Sequence, residues 1–214
     1  GWRELWSVED RSGPTISING KIYLNLGSND YLGLSQHPAL LDAAERALRR
    51  WGAGAHASRL VTGNYALLDE LEYETARFKG TEACLVFPTG YQANVGLLTA
   101  LFGKGDVIIF DKHCHASLVD GARLSGASIR VFPHNDLAYL EKVLLQTRQA
   151  RRRAVVVESV YSMDGDLADL SGIVELILAS PRQDRGVKHG LQDTFLIVDD
   201  AHATGVLGPR GEGA

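Results

Sequence analysis

The 214 residues suffice for one large domain or two small ones, and an apolar content of 45% is ordinary for a globular chain. A formal charge of −4, with basic residues scattered except for Arg151, Arg152 and Arg153, excludes a broad nucleic-acid footprint; that short run reads as a solvated helix end. The two cysteines, Cys84 and Cys114, lack disulfide-framework or zinc spacing, and neither a leader nor a membrane-length apolar run is present, so the expected compartment is the cytoplasm.

In chain order, KIYLNL (21–26) reads as a short strand. A helix over 38–51 follows, with Leu40, Leu41, Ala44, Leu48 and Trp51 on one face, and then a second helix over 66–78. From there strands and helices alternate: ACLVF (83–87), a helix over 91–102, DVIIF (106–110), a helix over 116–124, SIRVF (128–132), a helix over 137–147. The series closes with AVVVES (154–159), a helix over 171–179 and TFLIVD (194–199), with PRQDRGVKHGLQD (181–193) as a surface connection. Such alternation predicts an α/β fold with a mostly parallel sheet covered by helices, because parallel neighbours need crossover connections. AVVVE and FLIV are apolar without alternation, as strands buried on both faces should be.

Ligands of open parallel sheets gather at the carboxyl ends of the strands. ACLVF runs into PTGYQAN, whose helix start offers free N–H groups to a phosphate. DVIIF runs into DKHCHAS, AVVVES into VYSMDGD, and FLIV into DDAHATG. Together these call for a small molecule bearing an anion, a flat ring and a group that prefers positive charge. Each also has a structural reading: the Gly turn as punctuation, His113 or His115 as a loop histidine, Asp199 or Asp200 as a cap, Ser162 and Asp164 as a turn around Gly165. Adjacent residues of a strand point to opposite faces, which disfavours joint metal coordination by Asp199, Asp200 and His202.

The blocks LGSNDYLGL, GAGAHASRLVTGN, FPTGYQAN, DKHCHASLVDG, ESVYSMDGD and VDDAHATGVLG, in that order, resemble the α-oxoamine synthases. These are pyridoxal 5'-phosphate enzymes of the aspartate aminotransferase fold type. The resemblance implies an N-terminal arm and entrance region over 1–60 and a large cofactor-binding domain over 61–214. It places Asp199 at the pyridine nitrogen and His115 over the ring. Ser162 and His202 would reach the phenolic oxygen, Thr89, Gly90 and Tyr91 would hold the phosphate, and Glu158 would be an active-site carboxylate. Asn29 and Arg59 fall near the substrate entrance, while Asp200 has a supporting or capping role. The implied reaction is a decarboxylative condensation of an amino acid with an acyl-CoA thioester in a homodimer.

Two departures from the family pattern stand out. His56 and Ala57 occupy positions where the family carries small residues, mostly glycines, which bears on substrate preference. The lysine that anchors the cofactor in such enzymes is expected downstream of Ala214, so the resemblance implies an inactive fragment of a larger enzyme. A non-catalytic subunit of the same fold is the competing reading, against which stand the retained Asp199, His115 and His202.

Overall fold

A computed structural model describes residues 4–180 and 194–214; the expected surface connection over 181–193 lies outside the described residues. The chain divides into two compact units, Gly1–Glu70 and Leu71–Ala214. Among the described residues no helix is long and apolar enough to cross a membrane.

In the first unit, β1 (Asp10–Ser12), β2 (Thr15–Ile18) and β3 (Lys21–Leu24) form an antiparallel meander. Only β3 is among the expected strands; β1, with three residues, is too short to display alternation, whereas β2 (TISI) is as long as β3 and does alternate. Helix α1 (Pro38–Trp51) starts where His37 accepts the Ala39 N–H on Nδ1 at 3.3 Å and Pro38 fills a position that needs no N–H. It ends at Gly52, whose φ of 80° favours glycine. Helix α2 (Ala66–Lys79) runs across the division between the units.

The second unit alternates α3 (Gly90–Leu101), β4 (Val107–Asp111), α4 (Ala116–Ser125), β5 (Ser128–Phe132), α5 (Leu137–Gln146), β6 (Arg153–Glu158), α6 (Leu170–Ala179) and β7 (Thr194–Asp199). The strands make a parallel sheet in the order β5-β4-β6-β7, which is the expected α/β class. Every residue of β4 and β6 is buried, as central strands covered on both faces require. One apolar layer sets Ile109, Val155 and Val157 against Leu140, Val143 and Leu144 of α5 and Ile173 of α6. The other sets Ile108, Phe110 and Val156 against Leu98 of α3 and Leu118 and Ala122 of α4. The chain leaves β4 for β5 on one side and returns past β4 to β6, so the order reverses between β4 and β6. Beyond their carboxyl ends lies the crevice where such sheets bind ligands.

Two sequence expectations are corrected. ACLVF (83–87) forms no strand among the described residues, and the Val86 N–H donates to the Glu72 carboxylate at 2.8 Å. The arginine run is not a solvated helix end. Arg151 donates through Nε and Nη2 to the buried Asp106 at 2.9 and 2.8 Å, and Arg152 adds a contact at 3.3 Å. Arg153 opens β6, itself buried, with its guanidinium on the Leu144 carbonyl at 2.8 Å.

Candidate functional site

Three of the four parallel strands end in carboxylates: Asp111 on β4, Glu158 on β6 and Asp199 on β7. Glu158 and Asp199 are register partners, so two acids stand side by side at the crevice. Glu158 is only 3% exposed, and its Oε1 has no hydrogen-bond partner among the described residues. Burial first, and then the charge of Asp199, push its carboxyl above the usual range; the backbone N–H groups of His115 and Ser162 pull the other way. Asp199 is anchored differently. Its Oδ2 accepts from Asn94 Nδ2 at 2.8 Å and its Oδ1 from the Ala201 N–H at 3.1 Å.

Asp200 turns away from Asp199. It accepts from Ser159 Oγ at 2.6 Å, from Thr204 Oγ1 at 3.1 Å and from Lys79 Nζ, an anchoring set that ties the segment after β7 to α2. Burial opposes its charged form, yet the bonds from Lys79 and Ser159 prevail and hold its carboxyl below the ordinary value. His202 lies in that segment, half-buried.

The sequence places α3 and α4 with their amino termini at the same end of the sheet. Thr89 caps α3 by accepting the Gln92 N–H at 3.1 Å, which leaves the N–H groups of Gly90 and Tyr91 without an intrahelical acceptor. The Tyr91 hydroxyl donates to Asp120 of α4 at 2.8 Å, and that bond raises its pKa. The side chain is thereby engaged, while the backbone stays free for an anion. His115 caps α4, accepting the Ser117 N–H on Nδ1 at 3.2 Å, and its ring is otherwise exposed at the crevice. Between β4 and the His115 cap, the Cys114 thiol donates to the Val156 carbonyl at 3.3 Å. Burial and then Asp111 push its pKa well up, so this cysteine is packing rather than a nucleophile.

Ser162 sits exposed in the turn over 161–166, closed by the Tyr161 N–H to the Asp166 carbonyl at 3.0 Å. That turn is tethered by a group the sequence reading passed over. His134 donates from Nδ1 to Asp111 at 2.9 Å and from Nε2 to Asp166 at 2.7 Å, and Asn135 Nδ2 also reaches Asp166 at 3.0 Å. Burial works against a charged His134, but the two carboxylates outweigh it and raise its pKa. The ring stacks on His113 at 4.1 Å and meets Tyr161 edge-on at 4.4 Å. The signal was present in sequence: SIRVF also ends at the carboxyl edge, followed by PHND.

Asn29 and Arg59 belong to the first unit. Asn29 is exposed, 3.4 Å from the Tyr31 hydroxyl, and Arg59 Nε donates to Asn64 Oδ1 at 2.8 Å. His56 takes a φ of 57°, in the left-handed region that favours glycine, and its Nδ1 lies 2.6 Å from the Tyr65 hydroxyl. That conformation supplies a physical reason for the glycines the family carries in this loop.

The groups gathered in the second unit suit pyridoxal phosphate part by part. Free N–H groups open α3 for a phosphate, a carboxylate is oriented at the end of β7 for a ring nitrogen, and the unpartnered Glu158 Oε1 leaves polar capacity in the crevice. The sequence profile of the aminotransferase class I and II family matches residues 21–212. The 8-amino-7-oxononanoate synthase of Maricaulis maris is 49% identical over 197 residues, which cover 92% of this chain and 47% of that protein. The enzyme of the same name from Geobacter sulfurreducens is 46% identical over 213 residues, covering 100% and 51%. Among solved structures, serine palmitoyltransferase from S. paucimobilis, with PLP and myriocin bound, matches with a TM-score of 0.86 at 36% identity, over 97% of this chain and 51% of that one. The chain spans about half the length of the curated relatives it matches. Because the family profile runs from β3 through the segment beyond β7, the chain belongs to the aminotransferase class I and II family.

Proposed function

We propose that this chain is the cofactor-binding part of a pyridoxal phosphate-dependent acyltransferase of the α-oxoamine synthase type. The reaction joins L-alanine to a pimeloyl thioester, releasing carbon dioxide and coenzyme A, as in the 8-amino-7-oxononanoate synthases it resembles. The observation that carries this reading is Asp199, held at the carboxyl end of β7 by Asn94 and flanked by the open amino terminus of α3 and the His115 ring. The functional protein in this reading is a cytoplasmic homodimer with an arm over 1–60 and a cofactor domain over 61–214.

When bound, the cofactor supplies an electron sink for negative charge at the α-carbon of the amino acid. Asp199 would hold a proton on the ring nitrogen, which deepens that sink. His115 would cover one ring face, and Ser162 and His202 would bond the phenolic oxygen and fix the tilt of the ring. The N–H groups of Gly90 and Tyr91, with Thr89, would hold the phosphate. Glu158, buried and biased toward its neutral form, can donate a hydrogen bond where an ionised acid cannot. Asn29 and Arg59 would act at the substrate entrance, and His56 would narrow its loop relative to a glycine.

The test uses the full-length protein carrying this chain, with coenzyme A release followed for L-alanine with pimeloyl-CoA and for glycine with acetyl-CoA. The expected result is the higher kcat/KM for the first pair. A preference for glycine and acetyl-CoA overturns the substrate assignment in favour of a glycine C-acetyltransferase, and no release with any pair supports the non-catalytic subunit.

A further inference from the structure

Asp199 and His115 lie on different elements, yet one unbroken line of hydrogen bonds joins them. Asn94 Nδ2, on α3, donates to Asp199 Oδ2 at 2.8 Å and to Ser117 Oγ at 2.9 Å. Ser117, fully buried in the first turn of α4, places its Oγ 2.7 Å from His115 Nδ1. The donor count fixes the direction of every bond. An amide nitrogen has two protons and no lone pair to offer, so Asn94 gives one to Asp199 and one to Ser117. The Ser117 backbone N–H also points at His115 Nδ1, at 3.2 Å, and can only donate; Nδ1 therefore carries no proton. The Ser117 hydroxyl, accepting from Asn94, then donates to the same Nδ1. The spacing is set by packing: a Cβ on Gly121 of α4 would come within 3.1 Å of the Asn94 carbonyl and of Val95 Cα, so this glycine lets α4 approach α3 closely enough for the amide to reach Ser117.

We propose that Asn94 and Ser117 are positioning residues that lock the Asp199 carboxylate and the His115 imidazole into one hydrogen-bonded unit, with His115 in its Nε2–H tautomer. The inference rests on the cofactor reading above. Its consequence is that the group at the ring nitrogen and the group over the ring face are aligned by the same amide. Neither Asn94 nor Ser117 touches the cofactor in this scheme.

The experiment compares equilibrium binding of pyridoxal phosphate with that of 1-deazapyridoxal phosphate, which lacks the ring nitrogen, in the full-length protein and its Asp199→Asn and Asn94→Ala variants. A charge-assisted bond at the nitrogen predicts that wild type favours the natural cofactor by about 10–100-fold. Asp199→Asn should abolish that preference, and Asn94→Ala should cut it about fivefold or more, with smaller change in affinity for the deaza analogue. If Asp199→Asn abolishes the preference while Asn94→Ala keeps it in full, the positioning role is wrong and the cofactor reading stands. If wild type shows no preference, the cofactor reading itself fails, and this inference with it. A second readout needs neither cofactor nor a folded variant: nitrogen NMR of histidine-labelled wild type should show His115 Nδ1 unprotonated. A protonated Nδ1 overturns the proposal.

Discussion

Two buried acids at opposite ends of the parallel sheet, Asp106 and Glu158, are handled in opposite ways. At the amino end, Asp106 is fully buried and completely answered: Arg151, Arg152 and the Gly103 N–H all donate to it. At the carboxyl end, Asp111 is answered too, by His134 and the N–H groups of His113 and Asn135, but Glu158 stands beside Asp199 with its Oε1 buried and unpartnered among the described residues. Unpaired buried polar groups cost free energy, so an arrangement that keeps them needs a reason beyond packing. In the reading proposed above, Asp106 is complete in itself and the surroundings of Glu158 are finished by the cofactor.

Substitutions at the two ends should therefore part company. The largest stability loss is expected for Asp106→Ala, about 2–3 kcal/mol in denaturant unfolding, with no effect on cofactor affinity. Burial opposes the charge of Asp106, but its arginine bonds win and hold its carboxyl below the ordinary value. Its contribution is thus present above the unfolded pKa of about 3.9 and lost as pH falls further, so the gap between wild type and variant should close in acid.

A smaller loss, about 1–2 kcal/mol, is expected for His134→Asn. His134 is raised, so its contribution is full below the unfolded value of about 6.5 and fades as pH rises through the folded value. The Asp166 carboxyl is lowered, chiefly by the His134 bond, and that part fades in acid. Unfolding curves across pH should show the largest gap between those limits; a gap that grows toward alkaline pH would contradict the ion pair.

The smallest effect has the opposite sign. Because the Glu158 carboxyl is raised, its ionised form burdens the folded state as pH climbs past the ordinary glutamate range. Glu158→Gln should stabilise the protein at neutral pH by on the order of 1 kcal/mol, seen as a Tm rise of about 2–4 °C that vanishes in acid.

Sequence alone carried the second unit well because its periodic signals are local. The strands 128–132 and 194–199 match their expected bounds, as does the helix 38–51 of the first unit, and the strand ends pointed to the crevice. What it could not show depends on partners distant in the chain. Arg151 meets Asp106 across 45 positions and Asn94 meets Asp199 across 105, so a charge run looked like surface and an amide looked like ordinary helix. ACLVF has strand composition, but a strand exists only where a neighbour completes its ladder. His134 was legible in principle, since SIRVF is a parallel strand whose carboxyl end deserved the same scrutiny as the others.

The most direct test of a ligand-completed carboxyl end is the thermal shift produced by pyridoxal phosphate in the full-length protein and its Asp199→Ala and Asp106→Ala variants. At a cofactor concentration a hundredfold above the wild-type Kd, binding should stabilise wild type by about 2.7 kcal/mol. The Asp106→Ala protein, starting from a lower Tm, should gain as much, and Asp199→Ala should gain little. An equal gain in Asp199→Ala and wild type would contradict the account.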